Sequence, residues 1–257
     1  MATPKVLIFR TAGTNCDKET EFAFSRAGAQ VELGHINLIK KNKDFSSYQI
    51  ICIPGGFSYG DDLGAGKIFS LEIILWLKDK LKKFVEGGGL ILGICNGFQV
   101  LVKAGILPDL DFSQTVSLVE NDSRRFEDRW VRLKINSGNE SLANKIWLKG
   151  LPGLIHLPVA HAEGKFFCDL EILDKIKKNN QVALSYSNNS GKDVGYPDNP
   201  NGSLDNIAGI VDETGRVFGL MPHPERFIFI HQHPDWQGRE LAAHGLSFFQ
   251  NSVDYFK

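Results

Sequence analysis

Through the first hundred residues, short unbroken apolar runs alternate with longer segments that are apolar only at every third or fourth position. An unbroken run suits a strand buried on both faces; the wider spacing suits a helix packed along one. Lys5–Phe9 (KVLIF), Val31–Leu33, Tyr48–Ile53 and Leu90–Ile94 follow the first pattern. Asp17–Ala27, Leu71–Val85 and Gly97–Lys103 follow the second and stop at Gly28, at Gly87-Gly88-Gly89 and at Gly105, where a helix end gains most from glycine. The alternation predicts an α/β fold, a mostly parallel sheet flanked by helices on both faces.

The second half turns strand-rich. Trp130–Ile135, Phe166–Cys168, Gln181–Tyr186, Ile207–Val211 and Val217–Met221 read as strands, the last two joined as a hairpin by Asp212-Glu213-Thr214-Gly215. An extra antiparallel strand region is therefore expected beside the parallel one. Ser187–Ser203, rich in Asn, Gly, Pro and Ser, reads as a surface loop. With no internal repeat, low-complexity tract or linker, residues 1–257 are expected to fold as a single domain.

Composition narrows the class of function. The chain is 42% hydrophobic and 23% charged, with a formal net charge of −1 and no block of Lys or Arg. Nucleic acid and membrane surfaces are therefore not expected as partners. Lys78–Lys83, the densest basic stretch, is interleaved with apolar residues and suits a solvated helix face. Cys16, Cys52, Cys95 and Cys168 lie far apart with no CxxC pair, which argues against a disulfide framework or structural zinc. Lys5–Phe9 is too short for a signal-peptide core, no apolar run reaches the roughly 18 residues of a membrane span, and a cytoplasmic location is expected.

Candidate chemistry centres on Gly93-Ile94-Cys95-Asn96-Gly97. A predicted strand precedes it and a predicted helix follows, the context in which a sharp turn lifts a nucleophile off a sheet. The helix start beneath Cys95 favours thiolate over thiol. A thiolate needs a proton shuttle and a group to orient it. His223 and Glu225, in Met221-Pro-His-Pro-Glu-Arg226, supply both, with Pro224 stiffening the span between them. Oxyanion donors are expected from the N–H of Asn96 and from a glycine N–H in Pro54-Gly55-Gly56-Phe57. No GxxxxGK[ST] loop or strand-linked GxGxxG is found, and Gly87-Gly-Gly89 precedes a strand, so this chain is not expected to bind ATP.

Gly93–Gln99 (GICNGFQ), His223-Pro-Glu225 and the Pro54-Gly-Gly loop together resemble the class I (triad) glutamine amidotransferases. Thr14-Asn-Cys-Asp17, Pro54–Asp61 (PGGFSYGD), Pro158–Gly164 (PVAHAEG), Asn199–Ser203 (NPNGS) and Met221–Arg226 extend the resemblance, nearly end to end, to the glutaminase subunits of phosphoribosylformylglycinamidine synthases. The resemblance implies a flavodoxin-like fold, L-glutamine as substrate and Cys95, His223 and Glu225 as catalytic residues. It also implies that Gly56, Phe57, Asn96, Gln99 and His161 contact substrate, with a structural role for His161 an equal alternative. It further implies a separate synthetase subunit that holds ATP and Mg and receives the ammonia, with no cofactor or metal on this chain. Asp62–Lys67 (DLGAGK) and His231–Trp236 (HQHPDW) are closer to the fused, large form of that enzyme, which leaves a small accessory subunit open.

Other residues read more plainly. Cys16 is expected to be an unactivated loop thiol beside Asp17. His231, His233 and His244 lack a Cys or carboxylate at ligand spacing, and Arg124, Arg125 and Arg129 are expected in a solvated loop with local ion pairs. Alternative readings are a class I glutaminase serving another acceptor, a free-standing cysteine hydrolase, or a scaffold subunit without catalysis. The hydrolase reading expects a His directly after the nucleophile, where Asn96 stands.

Overall fold

Apolar runs and glycine stops translate directly into alternating strands and helices in a computed structural model, which describes residues 3–42, 44–136, 143, 146–190, 194–237 and 242–257. The first half runs β1 (Lys5–Arg10), α1 (Asp17–Arg26), β2 (Gln30–His35), α2 (Ile36–Asn42), β3 (Ile50–Ile53), α3 (Lys67–Trp76), α4 (Lys78–Glu86), β4 (Leu90–Ile94) and α5 (Asn96–Lys103). The second half has β5 (Val116–Glu120), β6 (Glu127–Ile135), β7 (Leu154–His161), β8 (Glu163–Cys168), α6 (Leu170–Lys178), β9 (Val182–Ser187), β10 (Ile207–Val211), β11 (Val217–Leu220) and α7 (Gly245–Asp254).

Nine strands form one sheet in the order β2-β1-β3-β4-β11-β10-β9-β6-β7, and β5 pairs with β8 in a two-stranded ribbon. From β2 to β11 every neighbour is parallel; from β11 to β7 every neighbour is antiparallel. The fully buried β3 and β4 carry the unbroken apolar runs that this position demands. In register, Ile53 lies opposite Gly93 and Leu220 opposite Ile94, so β3, β4 and β11 end together. The segments leaving those three ends therefore emerge side by side at the carboxyl edge of the parallel sheet. The β10–β11 hairpin is closed by Asp212, whose N–H donates to Val217 O at 3.0 Å while its Oδ1 accepts from Val217 N at 2.8 Å.

Several elements differ from expectation, and α2, β5, α6 and α7 are not among the predicted elements. The helix expected over Leu71–Val85 is two helices, broken at Leu77 (φ −125°), which is fully buried. The apolar spacing continues through the break, so periodicity alone cannot show it. Residues 191–193 of the expected Ser187–Ser203 loop lie outside the described residues, but its last part is no surface loop: Asn199, Asn201 and Ser203 are buried. Asn201 Nδ2 donates to Gly164 O at 2.8 Å and to Tyr186 Oη at 3.1 Å, and Ser203 Oγ accepts from Phe166 N at 3.0 Å. Amide and hydroxyl side chains here replace the ladder hydrogen bonds that a buried loop otherwise lacks. Finally, β7 was hidden by Pro158, which argues against a central strand. It pairs opposite Trp130 on the edge strand of the sheet, where one side of the ladder is free.

Candidate active site

Cys95 stands between β4 and α5 with φ 53° and ψ −107°, a conformation that side chains with a β-carbon rarely adopt. The flanking glycines are required by contact. A β-carbon on Gly97 would lie 1.8 Å from Ile53 O, and one on Gly93 would lie 2.5 Å from Leu101 Cδ1. Helix α5 thus presses against β3 and β4 closely enough to hold the strained turn. Cys95 N donates to Leu220 O at 2.8 Å, and its Sγ lies 3.7 Å from Ala160 O.

The segment after β11 delivers His223, whose N–H is anchored to Pro158 O at 2.8 Å. Pro224–Arg226 then form a single 3-10 turn with proline in its first position. The turn brings Glu225 Oε1 to 2.6 Å from His223 Nδ1, and both residues are 1% exposed. His223 Nε2 and Glu225 Oε2 have no hydrogen-bond partner among the described residues. Burial drives the His223 pKa down, but the Glu225 carboxylate and Cys95 outweigh it and hold the imidazole well above its ordinary value.

The loop after β3 closes the third side. A β-carbon on Gly55 would lie 2.8 Å from His223 Cε1, 3.1 Å from Cys16 Sγ and 3.5 Å from Cys95 Cβ. The Gly55 backbone therefore sits where these three side chains meet. Gly56 (φ +131°) bridges to Thr14 in an antiparallel contact. Among the described residues its N–H donates to no backbone carbonyl. The N–H of Asn96, first residue of α5, is one of those a helix leaves without an internal partner. The Phe57 side chain turns outward, 45% exposed, with its ring centroid 6.4 Å from that of Phe126.

Gln99 and His161 are buried as well. Gln99 Oε1 accepts from Asn96 Nδ2 at 3.1 Å, and its Nε2 donates to Glu163 O. Asn96 Nδ2 also donates to Asp61 Oδ1 at 3.0 Å; burial raises the Asp61 carboxyl above its usual range. His161 Nδ1 lies 3.2 Å from Asn121 Oδ1, its ring covers Gly164, and its Nε2 has no partner among the described residues. Burial first, and His223 second, lower its pKa to about 3, so it is neutral at any physiological pH.

Cys95, His223, Glu225, Gly56 and Asn96 are thus gathered at one edge, with Gln99 hydrogen-bonded to Asn96, His161 close enough to feel His223, and the Phe57 side chain outside. The sequence reading did not place Cys16 here. Its Sγ accepts from Arg226 Nη2 at 3.1 Å across a separation of 210 positions, and Arg226 Nε is paired with Glu19 Oε1 at 2.9 Å. Only the adjacent Asp17 was legible locally, and that carboxylate is turned away onto Arg10 Nε at 2.8 Å. The carbonyls of Pro158 and Ala160, which hold His223 and face Cys95, carry no sequence signal beyond the strand itself. Among the described residues, Cys16, His223 and Glu225 are the group whose possible metal-ligand atoms cluster, all within 4.8 Å. His233 instead faces His156, Nε2 to Nδ1 at 3.0 Å, and His231 stacks on Phe229. Arg124 and Arg125 lie in the expected loop, but Arg129 stands within β6, where it pairs with Glu127 and lies over the Tyr196 ring at 4.9 Å. No helix among the described residues is long and apolar enough to cross a membrane.

The family model for a CobB/CobQ-like glutamine amidotransferase domain matches residues 3–256. The phosphoribosylformylglycinamidine synthase subunit PurQ of Dehalococcoides mccartyi is 46% identical over 260 residues, covering 99% of this chain and 98% of the relative. PurQ of Methanococcus maripaludis strain S2 is 43% identical over 271 residues, covering 98% and 97%. A chain from the solved structure of PurLQS from Thermotoga maritima superimposes with TM-score 0.75 at 30% identity, covering 100% of both chains. A glutamine amidotransferase from Thermotoga maritima, with TM-score 0.55 at 14% identity over 90% and 80% of the two chains, shares the fold. A strained cysteine elbow beside a buried His–Glu pair, on a sheet of this order and with full-length relatives of this kind, places the chain in the glutamine amidotransferase family.

Proposed function

We propose that this chain is the glutaminase subunit of a phosphoribosylformylglycinamidine synthase, hydrolysing L-glutamine and delivering ammonia to a synthetase subunit. The observation that carries the reading is the meeting of Cys95, the His223–Glu225 pair and Gly55 at one sheet edge. The full-length similarity to PurQ subunits supports the acceptor. Cys95 Sγ adds to the carboxamide carbon of glutamine, and its proton resides on His223. The oxyanion that forms is met by the N–H groups of Gly56 and Asn96, which are free to donate. His223 gives its proton to the amide nitrogen as the C–N bond breaks, and ammonia leaves a γ-glutamyl thioester. Water then attacks the thioester, passing a proton to His223, and the thiol departs with glutamate as product. Glu225 fixes the imidazole orientation, and Gln99 and His161 shape the pocket floor.

ATP and Mg belong to the synthetase subunit, because no phosphate-binding loop is found in this chain. Residues 1–257 act as a single amidotransferase domain, a reading supported by the continuity of the nine-stranded sheet from β2 to β7. A third, small subunit completes the assembly, by analogy with the PurLQS structure.

The test is mass-spectrometric labelling with a diazo-ketone analogue of glutamine, with and without competing glutamine. Stoichiometric modification of Cys95, blocked by glutamine, is expected. No labelling even with the cognate synthetase present would remove the glutaminase reading.

A further inference from the structure

Cys16 has no role in the chemistry above, yet its thiol is buried against the working face of His223. One ligand atom from each of Cys16, His223 and Glu225 lies within 4.8 Å of the other two, and the residues are 1% exposed. Two polar atoms of the set, His223 Nε2 and Glu225 Oε2, are buried and without a partner among the described residues. Sulfur, imidazole and carboxylate are the donors that a borderline-soft divalent ion such as zinc selects. Tetrahedral zinc separates such donors by about 3.5 Å, so a relative movement of up to about 1.3 Å would close the set around an ion.

We propose that Cys16, His223 and Glu225 form a binding site for a zinc-type divalent cation, with water in the fourth position. Charge balance favours it. A thiolate, a carboxylate and a neutral imidazole around a doubly charged ion sum to zero, and the neighbouring Arg226 is already offset by Glu19. The Arg226 guanidinium, 3.1 Å from the sulfur, favours the thiolate that the metal requires. Burial nevertheless leaves the Cys16 thiol at about 11 with His223 and Arg226 beside it, so the ion must displace its proton. Binding releases two protons to solvent, that of the Cys16 thiol and one from the His223 imidazolium. Glutamine must reach Cys95 and His223, so a hydrated ion has the same route.

The consequence is inhibition, and this part rests on the reading of His223 as proton shuttle. A metal on Nε2 occupies the atom that serves Cys95. A metal on Nδ1 moves the ring proton to Nε2 and leaves it unable to accept another. Through either nitrogen, the imidazole is withdrawn from proton transfer.

The experiment titrates the full chain with cobalt(II), then with zinc, under reducing, oxygen-free conditions. One cobalt per chain is expected, with a thiolate-to-metal charge-transfer band that zinc displaces. The band should survive Cys95→Ala and vanish in Cys16→Ser, with affinity falling about a hundredfold or more on loss of the sulfur ligand. Cys16→Ala and an unchanged thermal unfolding profile guard against simple misfolding of the serine variant. Absence of the band, its persistence in Cys16→Ser, or its loss in Cys95→Ala would overturn the proposal. In parallel, zinc should inhibit wild-type glutamine hydrolysis, and inhibition relative to each variant's own metal-free rate should weaken in Cys16→Ser. The cobalt spectrum needs no turnover, so failure of the glutaminase reading would leave the metal result standing and remove only the inhibition.

Discussion

His223 and His161 are both buried histidines at the same sheet edge, and their neighbours drive them in opposite directions. His161 meets only neutral groups and the charge on His223, so burial wins and it stays uncharged, with its pKa near 3. His223 meets the same burial but also the Glu225 carboxylate at 2.6 Å, and its pKa is raised. Stability follows by linkage. A folded pKa above the unfolded value gives a contribution fully present below the unfolded pKa, about 6.5, and lost as pH rises through the folded one. Glu225→Gln keeps a hydrogen-bonding group but removes the charge. Its destabilisation should therefore be largest near about pH 5.5, at about 2 kcal/mol, and shrink toward about pH 9. Urea unfolding at the two pH values checks this; an effect constant with pH would mean that His223 is not held charged. The same variant should slow glutamine hydrolysis by about 10²–10⁴-fold, because the imidazole loses the group that orients it.

Among elements, the tightest tolerance is where α5 meets β3. Gly97→Ala would put a β-carbon 1.8 Å from the Ile53 carbonyl oxygen, and backbone on both sides must move. Gly202→Ala would put one 1.9 Å from Asp122 Oδ2, an atom of a side chain that is 62% exposed and held through its other oxygen by Lys165 Nζ at 2.6 Å, at a φ of +77°. Thermal unfolding should separate the two: about 3 kcal/mol lost for Gly97→Ala and about 1 kcal/mol, mainly left-handed strain, for Gly202→Ala. Gly97→Ala should also lower Cys95 reactivity, since the elbow turns on that contact. The pair shows what could be read from sequence and what could not. GICNG announced its elbow because strand, turn and helix are adjacent in the chain, and β1, β3 and β4 announced themselves by unbroken apolar runs. The break at Leu77, the Pro-bearing edge strand β7 and the buried Asn199–Ser203 network depend on what packs against them, and no local pattern carries that. Cys16 is the unactivated thiol expected, raised to about 11, but burial is the main cause, and the approach of Arg226 and His223 from the other end of the chain was not legible.

At the scale of the whole molecule, the site is assembled but its polar floor is closed on itself. Gln99, which the resemblance assigns to substrate, has its amide oxygen on Asn96 at 3.1 Å and its amide nitrogen on the Glu163 carbonyl. Glu163 in turn accepts from Ala65 N at 3.2 Å, and Lys103 Nζ donates to Ala65 O at 2.6 Å. The loop after β3, helix α5 and strand β8 are thereby tied together around the Gln99 side chain. For Gln99 to reach a bound glutamine, one of these ties must open, at about 1 kcal/mol before the substrate replaces it. Docking of a synthetase against the loop could supply that difference and so couple ammonia release to the presence of an acceptor. The isolated chain should consequently hydrolyse glutamine about fivefold more slowly than the reconstituted complex, the factor that one such bond supplies. Steady-state glutamate release, measured with and without the synthetase at saturating glutamine, reads the ratio directly. Equal rates would mean that the floor opens unaided and that Gln99 does not gate turnover. A rise confined to KM, with kcat unchanged, would instead place the partner's effect on binding of glutamine and not on the proton shuttle at His223.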